Sequence, residues 1–231
     1  MKLRLLTVTL LTVVILGAMS VPSGASSTPF EQMKAVVANV KAEQSVHYAE
    51  TLTTSGKRLV NTTDATRVGG RQTIVLTEAG KSNTVVIELI AGGLYVKGDS
   101  VILIDYMGFP KSTADQLSDK WFTIPKNNPD YAQVGQGLTL SSVAAELSMN
   151  QSVSTRPSVR IAGVKVNVLK GTSVKTSLNP SVPETLYVTT TATPLPVRVI
   201  QSFGGTAGTV VFSHWNETVK LVAPPATLQL T

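Results

Sequence analysis

The chain has 231 residues, of which 42% are hydrophobic and only 15% are charged, and its formal net charge is +6. This composition excludes a disordered tail and a coiled coil, because both classes need many more charged residues. The chain has no cysteine and only two histidines, which excludes disulfides, thiolate metal sites, cysteine nucleophiles and clusters of histidine ligands. We therefore expect neither a metal nor another cofactor.

The amino terminus has the three-part pattern of an export signal. Lys2 and Arg4 precede an apolar stretch over residues 5–19, and small residues follow it. The stretch is shorter than the roughly 20 residues that a membrane-spanning helix needs. We predict cleavage after Ala25, so that residues 26–231 form one exported domain; the alternative is an uncleaved amino-terminal anchor. Because no cysteine can carry a lipid, we expect a soluble protein that is secreted or stays in the cell envelope, without a lipid anchor.

A capped helix is predicted directly after the signal. Thr28 is a suitable cap, Pro29 suits the first helical position, and Glu31 completes a capping box. Apolar residues then recur at steps of three and four, which predicts one buried stripe. The stripe consists of Phe30, Met33, Val37 and Val40.

From Ser45 onward the pattern changes to short β-rich runs with glycine-containing turns between them, which predicts an antiparallel meander. In the first run, one parity is shared by Val46, Tyr48, Glu50, Leu52 and Thr54. The predicted strands are residues 45–54, 59–67, 71–77, 84–90, 94–97 and 101–104. No segment shows the alternation of strand and long helix that is typical of a parallel sheet.

The middle of the chain, residues 105–150, differs from both flanks. Two short helices are predicted at residues 112–119 and 138–149, on either side of the segment 121–125. Helices of this length are not stable alone, so they must pack on the sheet. Asp115 and Asp119 lie four apart on the first helix, which we interpret as a solvated face, not a metal site.

The last third returns to strands, predicted at residues 159–169, 185–191, 197–203, 209–214 and 218–222. Between Glu146 and Glu184 the sequence has no acid, and it has five basic residues there. They are Arg156, Arg160, Lys165, Lys170 and Lys175. Such a stretch can face anionic lipid, but we interpret it first as an ordinary solvated surface. Export and the lack of aromatic stacking motifs argue against nucleic acid.

The sequence contains little that indicates catalysis. No serine lies in a Gly-x-Ser-x-Gly elbow, and the glycine-rich segment 204–208 lacks the Lys-Ser or Lys-Thr of a phosphate loop, so we predict a hairpin turn there. His47 and His214 both lie in predicted strands. We predict a protein that is not an enzyme. The alternative, a secreted hydrolase, would place one of these histidines in a cleft, within hydrogen-bond reach of an acid.

The order of these pieces resembles the LolA and LppX/LprG group of lipid and lipoprotein carriers, over roughly residues 30–225. The resemblance is carried by short fragments in a common order and spacing: Gly93–Lys97, Lys120–Phe122 with Ile124–Pro125, Gly163–Lys165 with the strand to Lys170–Gly171, Leu186–Val188 with Leu195–Arg198, and Ala223–Pro224. Many members of the LppX/LprG branch carry an amino-terminal cysteine for a lipid anchor, and this sequence has none. That difference concerns membrane tethering and not the fold.

The resemblance implies an α+β fold: a strongly curved, incompletely closed antiparallel β-sheet, or half-barrel, with helices covering its concave face. It also implies an apolar cavity for acyl chains, with the helical insert as a lid. The expected function is that of an exported, non-catalytic carrier of a lipid or of a lipoprotein acyl chain. We expect a monomer whose partner is a lipid or an acylated molecule, with an anionic membrane surface or an envelope protein as a further partner. The alternative within the same fold is an RseB-like sensing or protein-interaction module.

Candidate cavity residues come from the helices, the sheet and the connection between them; for each, ordinary solid core is the alternative. On the helical side we expect Phe30, Met33, Val37, Leu138 and Leu147. On the sheet side we expect Ile74, Leu76, Val86, Leu94, Val96 and Ile102. At the rim we expect Met107 and Phe109.

Overall fold

The computed structural model describes residues 27–54, 56–175, 181–203, 206–225 and 227–230. The predicted export signal, residues 1–25, and Gly204 and Gly205 of the predicted turn lie outside the described residues. The helices are α1 (Pro29–Ala42), α2 (Ser100–Asp105), α3 (Lys111–Leu117), α4 (Tyr131–Val134) and α5 (Leu140–Glu146). The strands are β1 (Ser45–Thr54), β2 (Lys57–Thr66), β3 (Gly70–Glu78), β4 (Lys81–Ile90), β5 (Gly93–Gly98), β6 (Phe122–Ile124), β7 (Ser154–Ile161), β8 (Val164–Thr172), β9 (Pro183–Thr189), β10 (Pro196–Phe203), β11 (Thr206–Ser213) and β12 (Leu228–Gln229).

These strands form one sheet in the order β12-β6-β5-β4-β3-β2-β1-β11-β10-β9-β8-β7. Neighbours pair antiparallel, except that β12 joins β6 in parallel. Strand β1 lies near the centre because it pairs with β2 on one side and with β11 on the other. In the described part of the chain the outer strands β12 and β7 do not pair with each other, so the sheet is not closed. The predicted fold class, an α+β protein with an incompletely closed half-barrel, is confirmed.

Helix α1 begins as predicted. The Thr28 side chain accepts a hydrogen bond from the Glu31 backbone N–H, and the Glu31 carboxylate accepts one from the Thr28 N–H at 2.7 Å. Both halves of the capping box are therefore present. The buried face of the helix consists of Met33, Val36 and Val40, with Val37 only partly buried. This face packs against α5.

The core has two parts. The first joins α1 and α5 to β1 and to strands β8–β11, and its members include Met33, Val143, Leu169, Leu186 and Val199. The second joins α2 and α3 to strands β3–β6, and its members include Ile87, Leu94, Ile102, Leu117 and Phe122. The helices cover the sheet with apolar side chains, as their short lengths require.

The strand predicted at residues 101–104 is wrong, because this segment forms α2. The Asp99 side chain caps the helix by accepting a hydrogen bond from the Ile102 N–H at 3.0 Å, and its other oxygen accepts one from the Thr84 N–H at 2.7 Å. The run of apolar residues from Val101 to Ile104 suits either a buried strand or a buried helix. The capping aspartate decides in favour of the helix.

Two further strand predictions are corrected. The strand predicted at residues 159–169 is a hairpin, because Ala162 and Gly163 both adopt positive φ angles (46° and 82°) and reverse the chain between β7 and β8. Residues 218–222 form no strand. Strand β11 already pairs with β1 and β10, so no sheet edge is available beside it. His214, predicted within a strand, lies in the turn after β11 with φ 49°.

Candidate functional site

A cavity of about 670 Å³ lies between the helix-covered face of the sheet and the helical segment 130–147. This volume falls within the roughly 300–1,000 Å³ of typical ligand sites. Its floor comes from β1–β4, β10 and β11, and side chains from both parts of the core reach it. The cavity therefore occupies the space between the two parts of the core.

The strand register determines which side chains form the floor of the cavity. Val199, Val210, Glu50, Asn61 and Ile74 are directly opposite one another on five adjacent strands, β10, β11, β1, β2 and β3. All five line the cavity. A row across the sheet shares one face, so Glu50 lies in the middle of the floor, between valines on one side and an amide on the other.

A hydrogen bond connects the floor to the helical wall. The Tyr48 hydroxyl donates to the Gly137 carbonyl at 3.1 Å. Gly137 has φ 79°, and an added Cβ there would overlap the Tyr48 hydroxyl, so glycine is required on two grounds. The next residues along the wall belong to α5, which is capped by Thr139 and Ser142 and directs Val143, Glu146 and Leu147 towards the cavity.

The cavity is more polar than the resemblance implies. Its apolar lining includes Ile74, Ile87, Val134, Leu147, Val199 and Phe212. Its polar lining includes Glu50, Asn61, Gln72, Gln136, Glu146 and Gln201. Among the lining residues in the described part of the chain there is no lysine or arginine. The acids in the cavity therefore have no cationic side chain beside them.

Burial raises the pKa of two carboxyls that line the cavity. The pKa of Glu146 rises to about 7, chiefly through burial, with a smaller opposing effect of the Gln136 amide and a further rise from the Glu50 charge. Burial likewise raises the pKa of Glu50, and the Asn61 amide, 3.4 Å from its carboxylate, opposes the rise. Glu146 and Glu50 each keep part of their solvent-accessible surface, because that part of the side chain faces the cavity.

Glu184 lies behind the cavity wall and is 1% exposed. Its pKa rises to about 7 because of burial; the Gln201 amide, which donates to Oε2 at 3.1 Å, opposes the rise, and the Glu146 charge adds to it. Its other oxygen, Oε1, has no hydrogen-bond partner. Glu50, Glu146 and Glu184 thus form one electrostatically connected group of acids, which we call the acid cluster.

The structure distributes the predicted cavity residues over four environments. Ile74, Met107 and Leu147 line the cavity. Solid core holds Met33, Leu76, Leu94, Val96, Ile102 and Leu138. Partly buried against that core are Phe30, Val37 and Phe109. Val86 lies on the face of β4 opposite to Ile87, because successive strand residues point to opposite sides.

The acid cluster is not among the site residues predicted from the sequence. Glu50 shares its parity in β1 with the buried Val46 and Tyr48. An acid at an inward position of an apolar strand was therefore a usable signal. Glu146 has no such signal, because the strands that it faces across the cavity are distant from it in the sequence.

A second, smaller cleft of about 210 Å³ lies on the other face of the sheet, beside His47. His47 Nδ1 is 2.7 Å from Asp64 Oδ1, and the rings of His47 and His214 are 5.6 Å apart. A histidine within reach of an acid is the geometry that the hydrolase alternative requires. However, the only hydroxyl side chain among the described residues lining this cleft is Thr218. His47 and Asp64 are also direct cross-strand partners, which accounts for their contact as a pairing of β1 with β2.

Among the described residues, no group of three or more histidine, aspartate and glutamate side chains is arranged to hold a metal ion. Within the same part of the chain, no helix combines the length and hydropathy that crossing a membrane would require.

Two solved structures share this fold. LprF from Mycobacterium bovis has a TM-score of 0.57 and 13% sequence identity, covering 85% of this chain and 96% of that chain. The Mycobacterium tuberculosis lipoprotein LppX has a TM-score of 0.53 and 16% identity, covering 83% of this chain and 97% of that chain. The resemblance to the LppX/LprG group is thereby confirmed for the fold. No known protein family matches the sequence, and no curated protein does so either.

Proposed function

We propose that this chain, which has the fold of LppX and LprF, is a non-catalytic carrier that binds the apolar chain of a lipid or of an acylated molecule. The observation that supports the proposal is the cavity of about 670 Å³ on the helix-covered face of the sheet. Burial of one CH₂ group contributes about 0.8 kcal/mol, so a 16-carbon chain contributes on the order of 12 kcal/mol. Such a protein needs no catalytic residue.

The cavity also favours a carrier over the sensing module. The sensing alternative predicts a solid core beside a large exposed apolar patch, whereas an open volume separates the two parts of the core. We further propose that residues 1–25 direct export and are removed, and that residues 26–231 act as one domain in the cell envelope or outside the cell.

Extraction of the native protein tests this function. We expect protein purified from its own host to release a molecule with at least one long alkyl chain into organic solvent, at close to one molecule per chain, detected by mass spectrometry. The same extraction after unfolding in urea and dialysis is the control. A lipid-free extract from natively purified protein, together with no binding of added alkyl chains, would overturn the proposal.

We propose an anionic membrane surface as the docking partner. Strand β7 is the outer strand of the sheet, and the tip of the β7–β8 hairpin presents Val159 and Val164, which are 43% and 50% exposed. Arg160 and Lys165 are directly opposite each other, and both are exposed. By strand alternation they lie on the face of the hairpin opposite to the two valines. A tip with basic side chains on one face and apolar ones on the other suits the boundary between anionic head groups and acyl chains.

Vesicle co-sedimentation tests this docking. Each basic residue near an anionic surface contributes about 1 kcal/mol, so we expect R160Q/K165Q to weaken binding to phosphatidylglycerol-containing vesicles by about tenfold or more. The control variant R58Q/K81Q removes the same charge from exposed positions at the ends of β2 and β4 and should bind like the unchanged protein. Equal weakening by both variants, or equal binding to pure phosphatidylcholine vesicles, would contradict a docking role of the hairpin.

A further inference from the structure

Resting on the proposed carrier function, we infer that the ligand is an amphiphile with a cationic amine head group, held between the carboxylates of Glu50 and Glu146 inside the cavity. The chemical class of the ligand is thus narrower than a plain alkyl chain.

The two acids belong to opposite walls of one cavity. Glu50 lies in the middle of the floor, directly opposite Val210 on one neighbouring strand and Asn61 on the other. Glu146 comes from α5, in the helical wall. A head group between them would contact a carboxylate from each side, which is the arrangement that an ammonium with its three donors can satisfy.

The charged side chains that line the cavity in the described part of the chain are all acids. Glu50, Glu146 and Asp130 line it, and its described lining has no lysine or arginine, although the chain as a whole has a formal charge of +6. Buried carboxylates without a counterion are costly. A bound ammonium supplies that counterion, whereas a ligand with its own carboxylate would add a further negative charge to the acid cluster.

Glu184, the third member of the acid cluster, lies behind the cavity wall. This side chain is 99% buried, and its Oε1 has no hydrogen-bond partner. Its Oε2 accepts from the Gln201 amide, and Gln201 itself lines the cavity. Buried polar atoms in native proteins are almost always paired, and this carboxylate oxygen, directly behind the part of the cavity wall formed by Gln201, is not. The pKa values of Glu146 and Glu184 are raised chiefly by burial, and each carboxyl is also raised by the charge of another glutamate.

The remaining lining accommodates the alkyl chain. Apolar side chains line the cavity on both sides of Glu50, with Ile74 on β3 and Val210 on β11, and Leu147 lies in the helical wall. The head group and the chain of one amphiphile would therefore occupy the polar and the apolar parts of the same cavity.

Isothermal titration with three probes of equal chain length tests the inference. Dodecylamine, dodecanol and dodecanoate would be titrated into the purified protein at pH 7.5, each below its micelle-forming concentration. A charge-assisted hydrogen bond is stronger than a neutral one, so we expect dodecylamine to bind about tenfold more tightly than dodecanol. Dodecanoate should bind more weakly than dodecanol because of the carboxylates.

Single substitutions test which residues cause the preference for dodecylamine over dodecanol. E146Q and E50Q should each reduce the amine-to-alcohol ratio of affinities to about threefold or less. The control E78Q removes an exposed acid that pairs with Lys57 and should leave the ratio unchanged. Circular dichroism would verify that each variant is folded.

The outcomes separate the two proposals. Dodecanol binding as tightly as dodecylamine, or an amine preference that survives in the E50Q/E146Q double variant, would overturn the cationic head group while the carrier function stands. Failure of all three probes to bind would contradict the carrier function itself.

Discussion

Replacing Val210 with tryptophan is expected to weaken the binding of dodecanol or dodecylamine by roughly 100-fold or more. Val210 lies on β11 in the cavity floor, directly opposite Glu50 and Val199, and is only partly buried. The indole group would occupy space that the alkyl chain needs. A loss of about 3 kcal/mol of chain burial corresponds to this factor.

Val211 offers a matched control. It is the next residue of the same strand, it points to the opposite face, and it is 40% exposed. V211W adds the same side chain to the same strand outside the cavity, so its affinity for both probes should stay within about twofold of the unchanged protein. Isothermal titration measures both variants, and thermal unfolding verifies that both fold. Undiminished binding by V210W, or equal loss in V211W, would place the ligand elsewhere.

Lowering the pH from 8 to 5 is expected to stabilise the protein through the acid cluster. The pKa values of Glu146 and Glu184 are about 7 in the folded state, against 4.5 ordinarily, so the folded state binds more protons between these values than the unfolded state. The contribution of these two acids to the free energy of unfolding is therefore greatest below about pH 4.5 and declines as the pH rises through 7. For Glu184 alone the shift corresponds to about 3 kcal/mol at most.

The variant E184Q tests the origin of this dependence. Its amide oxygen can still accept from the Gln201 side chain, and it carries no charge at any pH. We expect E184Q to unfold at a higher urea concentration than the unchanged protein at pH 8, with a smaller difference at pH 5. E78Q, which removes an acid from an exposed position, is the control for the loss of one carboxyl. An unchanged slope in E184Q would show that Glu184 does not cause the dependence.

Local signals were sufficient for the elements whose hydrogen-bond partners are near in sequence. The capping box of α1 and the hairpins from β1 to β5 follow from residues within one turn or one strand pair. The α2 segment was mistaken for a strand because its apolar run fits both structures, and the double role of Asp99 depends on Thr84, which is distant in sequence.

The sequence predicts which face of a strand is buried, but it does not predict which buried residues border the cavity. Strand parity correctly identified a buried face for Leu94 and Val96, but those side chains fill solid core, whereas Ile74 on a neighbouring strand borders open space. Parity reports the face on which a residue lies and carries no information on whether another element fills the space above it.

The sequence by itself determined the antiparallel order of the first strands and the lack of cysteine chemistry, because each of these depends on composition or on neighbouring residues. Only the tertiary structure decided that Glu50 of β1, Glu146 of α5 and Glu184 of β9 belong to one cluster beside one cavity. The reason is physical: the burial that raises the pKa of these acids is produced by packing between segments far apart in the chain. No local pattern encodes that packing.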